Sequence, residues 1–194
     1  MGRAERRDWM LVLVWTAVIY ATLPIARRLS DRLIDAGYKW VLHKGPILLI
    51  AVAFAAAVIY ILKKLDDRRA VRIFLLANVG LAYGLFLKFL GKIPIERIHL
   101  LEYGLLAMLA KRAADHRMGS ALAYIFSAFL VADIGLGDEL IQWVLPDRYF
   151  DWRDVATNAV SGLLGLALWA CLFQGTGSAK RDREPDTMSL NISK

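Results

Sequence analysis

Five long apolar runs constrain this chain more than any other feature of its sequence. A helix needs about 20 mostly apolar residues to cross a bilayer, and each run is close to that length. Hydrophobic residues make up 58% of the 194 residues, against about 45–50% in an ordinary soluble domain. The sequence therefore predicts an all-α, polytopic transmembrane helical bundle. The five runs are Trp9–Ala26, Gly45–Leu62, Ile73–Leu90, Ser120–Gly137 and Val155–Phe173.

A sixth segment, Ile93–Ala110, is free of ionisable groups only in its second half. A charge at the centre of a membrane helix costs about 2.5–3.5 kcal/mol on insertion scales. We therefore expect this segment to cross only inside the bundle, with its polar half facing protein or a wet cavity. Counting it gives about six helices. Its polar residues include Glu96, Arg97, His99 and Glu102.

The chain divides into three parts along its length. Residues 1–72 are expected to form two transmembrane helices with an amphipathic connector at 27–44, and residues 73–173 a four-helix core. Apolar residues recur at helical spacing in the connector. It is therefore either an amphipathic helix lying in the membrane interface or a solvated helical connector. The polar residues 174–194 are expected to form a disordered tail.

The net charge of +7 is explained by a membrane rather than by nucleic acid. The Lys and Arg residues lie in short segments between apolar runs, where they orient the chain and meet anionic headgroups. Six crossings put 15 of them on the side of the two termini and 10 on the other side. This bias favours cytoplasmic termini. We expect membrane lipids as partners and no nucleic acid.

Polar residues from three predicted helices fall at a similar depth in the membrane. Glu96, His99 and Glu102 are spaced three residues apart, so they share one helical face. At 1.5 Å per residue, His99 lies about 7 Å and Glu102 about 12 Å below the outer start of its helix. Asp133 and Asn158 fall about 6 Å from the outer ends of their helices. We therefore predict one polar site in the outer half of the membrane.

The segment Asp138–Leu145 is predicted to be a short separate piece in the outer loop. Gly135 and Gly137 are expected to loosen the chain before it, and a proline at position 146 to end it. Within the segment, Glu139 and Gln142 share a face at three-residue spacing. They are therefore expected to contribute to the same site.

The following stretch places Asp151, Asp154 and Asn158 on one helical face. Arg148 is close to them in sequence, and its guanidinium suits either a carboxylate or a phosphate. Structural roles are open for each residue. Arg148 is suited to an ion pair with Asp151 or Asp154, either aspartate to capping the last helix, and Asn158 and Gln142 to interhelical hydrogen bonds.

The ordered set of these motifs resembles the VanZ-like family of bacterial membrane proteins. The motifs are ERIHLLEYG at 96–104, ELIQ at 139–142, PDR at 146–148, DWRD at 151–154 and NAVSG at 158–162. Glu96 stands where an aspartate is more usual in the family. The matching residues are Glu96, Arg97, His99, Tyr103, Glu139, Gln142, Arg148, Asp151, Asp154, Asn158, Gly162 and Gly165.

The resemblance implies a small helical bundle in the bacterial cytoplasmic (inner) membrane. The founding member of the family is associated with resistance to the glycopeptide antibiotic teicoplanin, and the biochemical activity of the family is not settled. The ligand-binding residues expected here are His99, Tyr103, Glu139, Gln142, Arg148, Asp151, Asp154 and Asn158.

Three functions fit these residues. The first is binding of an amphipathic or lipid-linked envelope ligand. The second is a membrane enzyme acting on lipid headgroups, and the third is a transporter in which intramembrane carboxyl groups carry protons. Motifs for known nucleophiles or zinc proteases, G-x-S-x-G and H-E-x-x-H, are absent. We expect no metal site, and no cofactor is indicated. If the chain is an enzyme, its candidate catalytic residues are His99, Glu102, Glu139 and Asp151.

Overall fold

The computed structural model describes residues 1–65, 68–91, 94–146 and 148–174. Within these ranges the chain forms six α-helices and no strand. The predicted disordered tail from residue 175 onward and Asp147 lie outside the described residues. The helices are α1 (Arg3–Asp35), α2 (Lys39–Lys64), α3 (Arg69–Leu90), α4 (Pro94–Ala114), α5 (Ser120–Val144) and α6 (Trp152–Phe173).

Five of the helices are long and apolar enough to cross a membrane. They are α1, α2, α3, α5 and α6, and each contains one of the five apolar runs of the sequence. Their exposed side chains include many Leu, Ile, Val and Phe residues, which lipid can solvate and water cannot. The predicted helical membrane bundle is confirmed, and the chain is a multi-pass membrane protein.

The polar helix α4 is the centre of the bundle. It packs against each of the other five helices, and its 21 residues extend about 31 Å. Near its start, Arg97 Nη1 donates a hydrogen bond to the carbonyl oxygen of His43 (2.9 Å). Near its end, Arg112 Nε donates to Asp8 Oδ2 (3.1 Å). The helix therefore runs the full length of the bundle and contacts all five of the other helices.

Successive helices run in opposite directions, which gives the bundle two distinct ends. The loop end holds the α1–α2, α3–α4 and α5–α6 connections, and the terminal end holds the start of α1 and the end of α6. At the terminal end, the Arg72 guanidinium donates to the carbonyl oxygens of Cys171 (2.8 Å) and Gln174 (2.7 Å). These carbonyls are ones that a helix C-terminus leaves without an internal partner.

The predicted connector at 27–44 is divided between two helices. Residues up to Asp35 continue α1, and Lys39 begins α2. Gly37, with φ of +81°, turns the chain between them, a conformation that glycine adopts without steric cost. The connector is therefore not a separate helix.

The prediction of a separate segment at Asp138–Leu145 is wrong, because α5 continues without a break to Val144. Gly135 and Gly137 serve close packing instead. A Cβ at Gly135 would lie 2.8 Å from Asn158 Cβ, and a Cβ at Gly137 would lie 2.5 Å from the Tyr20 hydroxyl. The last two turns of α5 thus extend the bundle and carry polar side chains into it.

A close approach between helices joins Gly104 of α4 and Gly165 of α6. A Cβ on Gly165 would lie 2.7 Å from the Gly104 Cα atom, a separation that real Cβ atoms do not tolerate. Small residues of this kind let membrane helices approach along their backbones. This contact fixes the depth at which α6 sits against the polar part of α4.

Candidate functional site

The start of α6 is joined to the end of α5 by Asp151. Its side chain accepts a hydrogen bond from the backbone N–H of Arg153 (2.8 Å), which caps α6. Its own backbone N–H donates to Glu139 Oε2 (3.1 Å). The expected capping role is present, and Asp151 also ties the α5–α6 loop to a buried carboxyl group.

Behind this junction lies a buried set of side chains that we term the polar network. Its members come from α4, α5 and α6, so it forms only when the three helices pack together. Asp138 and Asn158 have no exposed surface, and Glu139 is 1% exposed. The polar network consists of His99, Tyr103, Asp138, Glu139, Gln142 and Asn158.

The α5 half of the polar network centres on one amide group. Gln142 Nε2 donates to Asp138 Oδ1 (3.0 Å) and to Glu139 Oε1 (2.8 Å). The Tyr103 hydroxyl donates to the other oxygen of Asp138 (2.7 Å). Uncharged donors alone satisfy Asp138, and among the described residues no Lys or Arg pairs with it or with Glu139.

The α4–α6 half is a pair of side chains. His99 Nδ1 lies 2.8 Å from Asn158 Oδ1. Because an amide oxygen only accepts, His99 donates this hydrogen bond from Nδ1. Asn158 Nδ2 is buried and has no acceptor among the described residues. The expected interhelical role of Asn158 is therefore present, with one donor left unused.

An ion pair lies at the loop end of the polar network. Arg153 Nη2 donates to Glu96 Oε2 (3.1 Å), and the Arg153 guanidinium lies over the Phe89 ring, 6.0 Å from its centroid. Glu96 is buried and Arg153 is exposed. The ion pair thus joins the first turn of α4 to the first turn of α6.

Arg148 lies apart from this network. It lines a cavity of about 480 Å³ at the loop end, formed where the end of α1 meets the α5–α6 loop. The expected ion pair of Arg148 with Asp151 or Asp154 does not occur within the described part of the chain. We term this cavity the arginine pocket; it is lined by Leu23, Pro24, Arg28, Asp31, Leu145, Pro146 and Arg148.

Three other predicted residues are also outside the polar network. Glu102 lines a second, apolar cavity, and its backbone carbonyl accepts a hydrogen bond from Trp15 Nε1 (3.0 Å). Asp133 is exposed on α5, and Asp154 is half-buried in the first turn of α6. His99 and Glu102 share no hydrogen bond, although the Glu102 carboxyl group lies within electrostatic range of His99 and Asp138.

Sequence reasoning missed two contributors to these sites. Asp138 stands four residues before Gln142, one helical turn away, and this spacing would have identified it had α5 been continued past Gly137. Arg28 meets Arg148 only because α1 and the α5–α6 loop adjoin at the loop end. No local spacing relates residues so far apart in the sequence.

The two sites differ in what they can hold. The polar network is closed, and its members already bond to one another. Among the described residues, no group of three His, Cys, Asp or Glu side chains is arranged to hold a metal. The arginine pocket is open and has two guanidinium groups in its lining. Unlike the polar network, it therefore has empty space beside charged side chains.

Comparisons with known proteins agree with the motif pattern. A family model described as VanZ/LLP1 matches residues 9–174, a range that includes nearly all of the helical bundle. No curated protein matches the chain, and no solved structure matches it.

Proposed function

This chain belongs to the VanZ/LLP1 family, and on that basis we propose that it binds an amphipathic envelope ligand by its anionic headgroup in the arginine pocket. The location we propose is the bacterial cytoplasmic membrane, with both termini in the cytoplasm. The observation that carries the proposal is that Arg28 and Arg148 line one open cavity at the loop end.

The charges of the pocket favour an anion. Arg28 and Arg148 form no ion pair with any described residue, although Asp31 also lines the pocket. A guanidinium keeps its charge and matches phosphate or carboxylate with a planar fork of donors. Hydrogen bonds between such charged groups are roughly twice as strong as neutral ones.

The apolar residues of the pocket support an amphipathic ligand. Leu23, Leu145 and the prolines at 24 and 146 line it beside the arginines, and α1 and α5 are apolar helices below it. A headgroup held at the pocket would leave its hydrocarbon part in the lipid phase. A lipid-linked cell-wall precursor, a phospholipid and a lipoglycopeptide each combine a polar headgroup with a hydrocarbon part.

The polar network has a supporting role in this proposal. Arg148 lies on the short connection between Val144 and Trp152, and the Asp151–Glu139 hydrogen bond holds the far end of that connection. The His99–Asn158 and Tyr103–Asp138 hydrogen bonds join α4 to α6 and α5, and Gln142 holds Asp138 and Glu139 within α5. Their substitution should affect binding through the position of Arg148.

Binding can be tested with charge-neutral variants in nanodiscs of phosphatidylcholine and phosphatidylglycerol. Arg28→Gln and Arg148→Gln should each lower retention of phosphatidylglycerol, measured by native mass spectrometry, by about ten- to a hundredfold, because a hydrogen bond to a charged group contributes about 1.5–3 kcal/mol. Arg148→Lys should also weaken retention, since Lys lacks the planar fork.

Arg32→Gln is the matched control. Arg32 is one helical turn beyond Arg28, is exposed, and does not line the arginine pocket. It should retain phosphatidylglycerol like the wild type. Equal retention by wild type, Arg28→Gln and Arg148→Gln would refute the anion site.

A role in glycopeptide resistance is a further part of the proposal, and it rests on family membership. Expression in a teicoplanin-sensitive bacterium should raise the inhibitory concentration of teicoplanin, and the Arg148→Gln variant should not. Equal inhibitory concentrations with and without the wild-type protein, at matched membrane expression, would exclude this role.

Proton-coupled transport is the second candidate, favoured by Asp138 and Glu139. These two neighbouring carboxyl groups are buried and share one neutral donor. Buried carboxyl groups of this kind are expensive unless they hold a proton or face a cation. In vesicles that contain the wild-type protein and an internal pH dye, the interior should acidify in a lipid-dependent way. In vesicles that contain Asp138→Asn, it should not. Identical dye traces would remove this candidate.

A further inference from the structure

A second cavity lies against α4, and none of the described residues that line it belongs to α5. Its volume is about 870 Å³, within the usual range of about 300–1,000 Å³ for ligand pockets. Its wall comes from α2, α3, α4 and α6, with Trp15 added from α1. We term it the membrane cavity; Ile50, Phe54, Tyr83, Leu101, Leu105 and Leu168 line it.

The membrane cavity faces lipid rather than water. Leu49, Tyr60 and Leu105 belong to its wall and are 59%, 38% and 40% exposed. They lie on α2 and α4, within a bundle whose outer helices are apolar enough to cross a bilayer. The phase at its mouth is therefore hydrocarbon, and the occupant that this phase supplies is a lipid chain.

One side chain that lines the membrane cavity, Glu102, is polar and would not be satisfied by a purely apolar ligand. Glu102 is the only acidic or basic residue among those described that line the membrane cavity. It is half-buried, and its carboxyl group has no hydrogen bond or ion pair with any described residue. In hydrocarbon, an unsatisfied polar group costs several kcal/mol. An occupant that donates a hydrogen bond to Glu102 would remove that cost.

We propose that the membrane cavity is a second lipid site, which binds a hydrocarbon chain carrying a hydroxyl group that donates to Glu102. A hydroxyl suits this position better than an amine, because carrying a cation to the middle of a membrane is costly. The site shares no lining residue with the arginine pocket. It is therefore independent of the proposed headgroup binding.

Occupancy can be tested by filling the cavity. The protein is reconstituted in phosphatidylcholine vesicles with a small fraction of a photoreactive, alkyne-tagged long-chain alcohol, and crosslinked peptides are mapped by mass spectrometry. In wild type, crosslinks should fall on Leu101–Leu105 of α4, and excess untagged alcohol should compete them away. Ala53→Phe places a ring at a lining position and should reduce them several-fold.

Ala55→Phe is the matched control for this variant. Ala55 lies on the same helix, is exposed, and does not line the cavity. Crosslinking at α4 should remain at the wild-type level. Crosslinks that do not saturate, or that fall equally in Ala53→Phe and Ala55→Phe, would mean contact with bulk lipid only and would overturn the proposal.

The hydroxyl can be tested with a second probe in which it is replaced by a methyl ether. Wild type should crosslink the alcohol about three- to tenfold more than the ether, the range expected for one hydrogen bond inside a membrane. Glu102→Gln keeps an acceptor and should keep the preference, whereas Glu102→Leu should lose it. An equal yield of both probes in wild type, or an unchanged preference in Glu102→Leu, would refute the role of Glu102. Retention of phosphatidylglycerol should be unaffected by these variants, which separates this test from that of the arginine pocket.

Discussion

Asp138 has a demanding environment, because its carboxyl group is fully buried and its hydrogen-bond partners are uncharged. Tyr103 and Gln142 each donate one hydrogen bond to it. Leaving a buried acceptor without its donor costs more than the bond itself contributes. Each donor to Asp138 should therefore matter for stability, and the Tyr103 hydroxyl should matter also for the position of α4 against α5.

Replacing Tyr103 by Phe tests how far stability depends on one hydrogen bond to Asp138, because it removes a single oxygen atom. Tyr103→Phe removes the hydroxyl that binds Asp138 and should lower the free energy of unfolding by about 0.6–2 kcal/mol, the range for hydrogen bonds between membrane helices. A thermal unfolding curve in detergent measures the effect. Tyr149→Phe is the control, because Tyr149 is 77% exposed and should leave the curve unchanged. Equal midpoints for both variants would contradict the importance of this bond.

At this scale, the sequence identified several members of the polar network and missed Asp138 and Arg28. His99, Glu139 and Asn158 were identifiable because charged or amide groups in apolar runs are conspicuous. Arg148 was also identifiable, yet its neighbour in the arginine pocket is Arg28 rather than an aspartate of α6. Which distant helix ends adjoin is decided by packing, and residue spacing carries no information about it.

At the scale of elements, the apolar runs in the sequence predict where the helices lie but not where each helix begins and ends. The apolar run Trp9–Ala26 is the middle of a helix that extends from Arg3 to Asp35. The sequence does not reveal that α5 extends to Val144, because glycines at 135 and 137 resemble loop signals. In a membrane helix, glycine more often marks a close neighbour, and both positions have one.

The contact between α4 and α6 can be tested by comparing an alanine substitution inside it with one outside it. Gly165→Ala would force its methyl group into the Gly104 backbone and should cost about 1–3 kcal/mol, as overpacking does. Gly84→Ala, in the exposed part of α3, meets nothing within 4 Å. It should be neutral or stabilising by up to about 1 kcal/mol, because Ala is the better helix former. Denaturation in detergent compares the two, and equal stability would show that the helices can separate without cost.

For the whole molecule, the orientation in the membrane decides which compartment the arginine pocket faces. The 15-to-10 distribution of Lys and Arg predicts that the loop end is outside the cytoplasm. Starting from a Cys171→Ser background, Tyr149→Cys at the loop end should react with an impermeant maleimide added to intact cells. Ser120→Cys, exposed at the terminal end, should react only after the cells are opened. The reverse pattern would place the arginine pocket in the cytoplasm.

The central position of α4 also has a consequence for how the chain is made. Alone among the six helices, α4 lacks the apolar character to cross a membrane by itself. Its buried His99 and Tyr103 find their partners on α6 and α5, which are synthesised later. We expect the translocon to release α1, α2 and α3 into lipid first and to hold α4 until its partners emerge from the ribosome. Truncation after residue 118 should therefore leave α4 outside the bilayer, so that the membrane contains three helices rather than four.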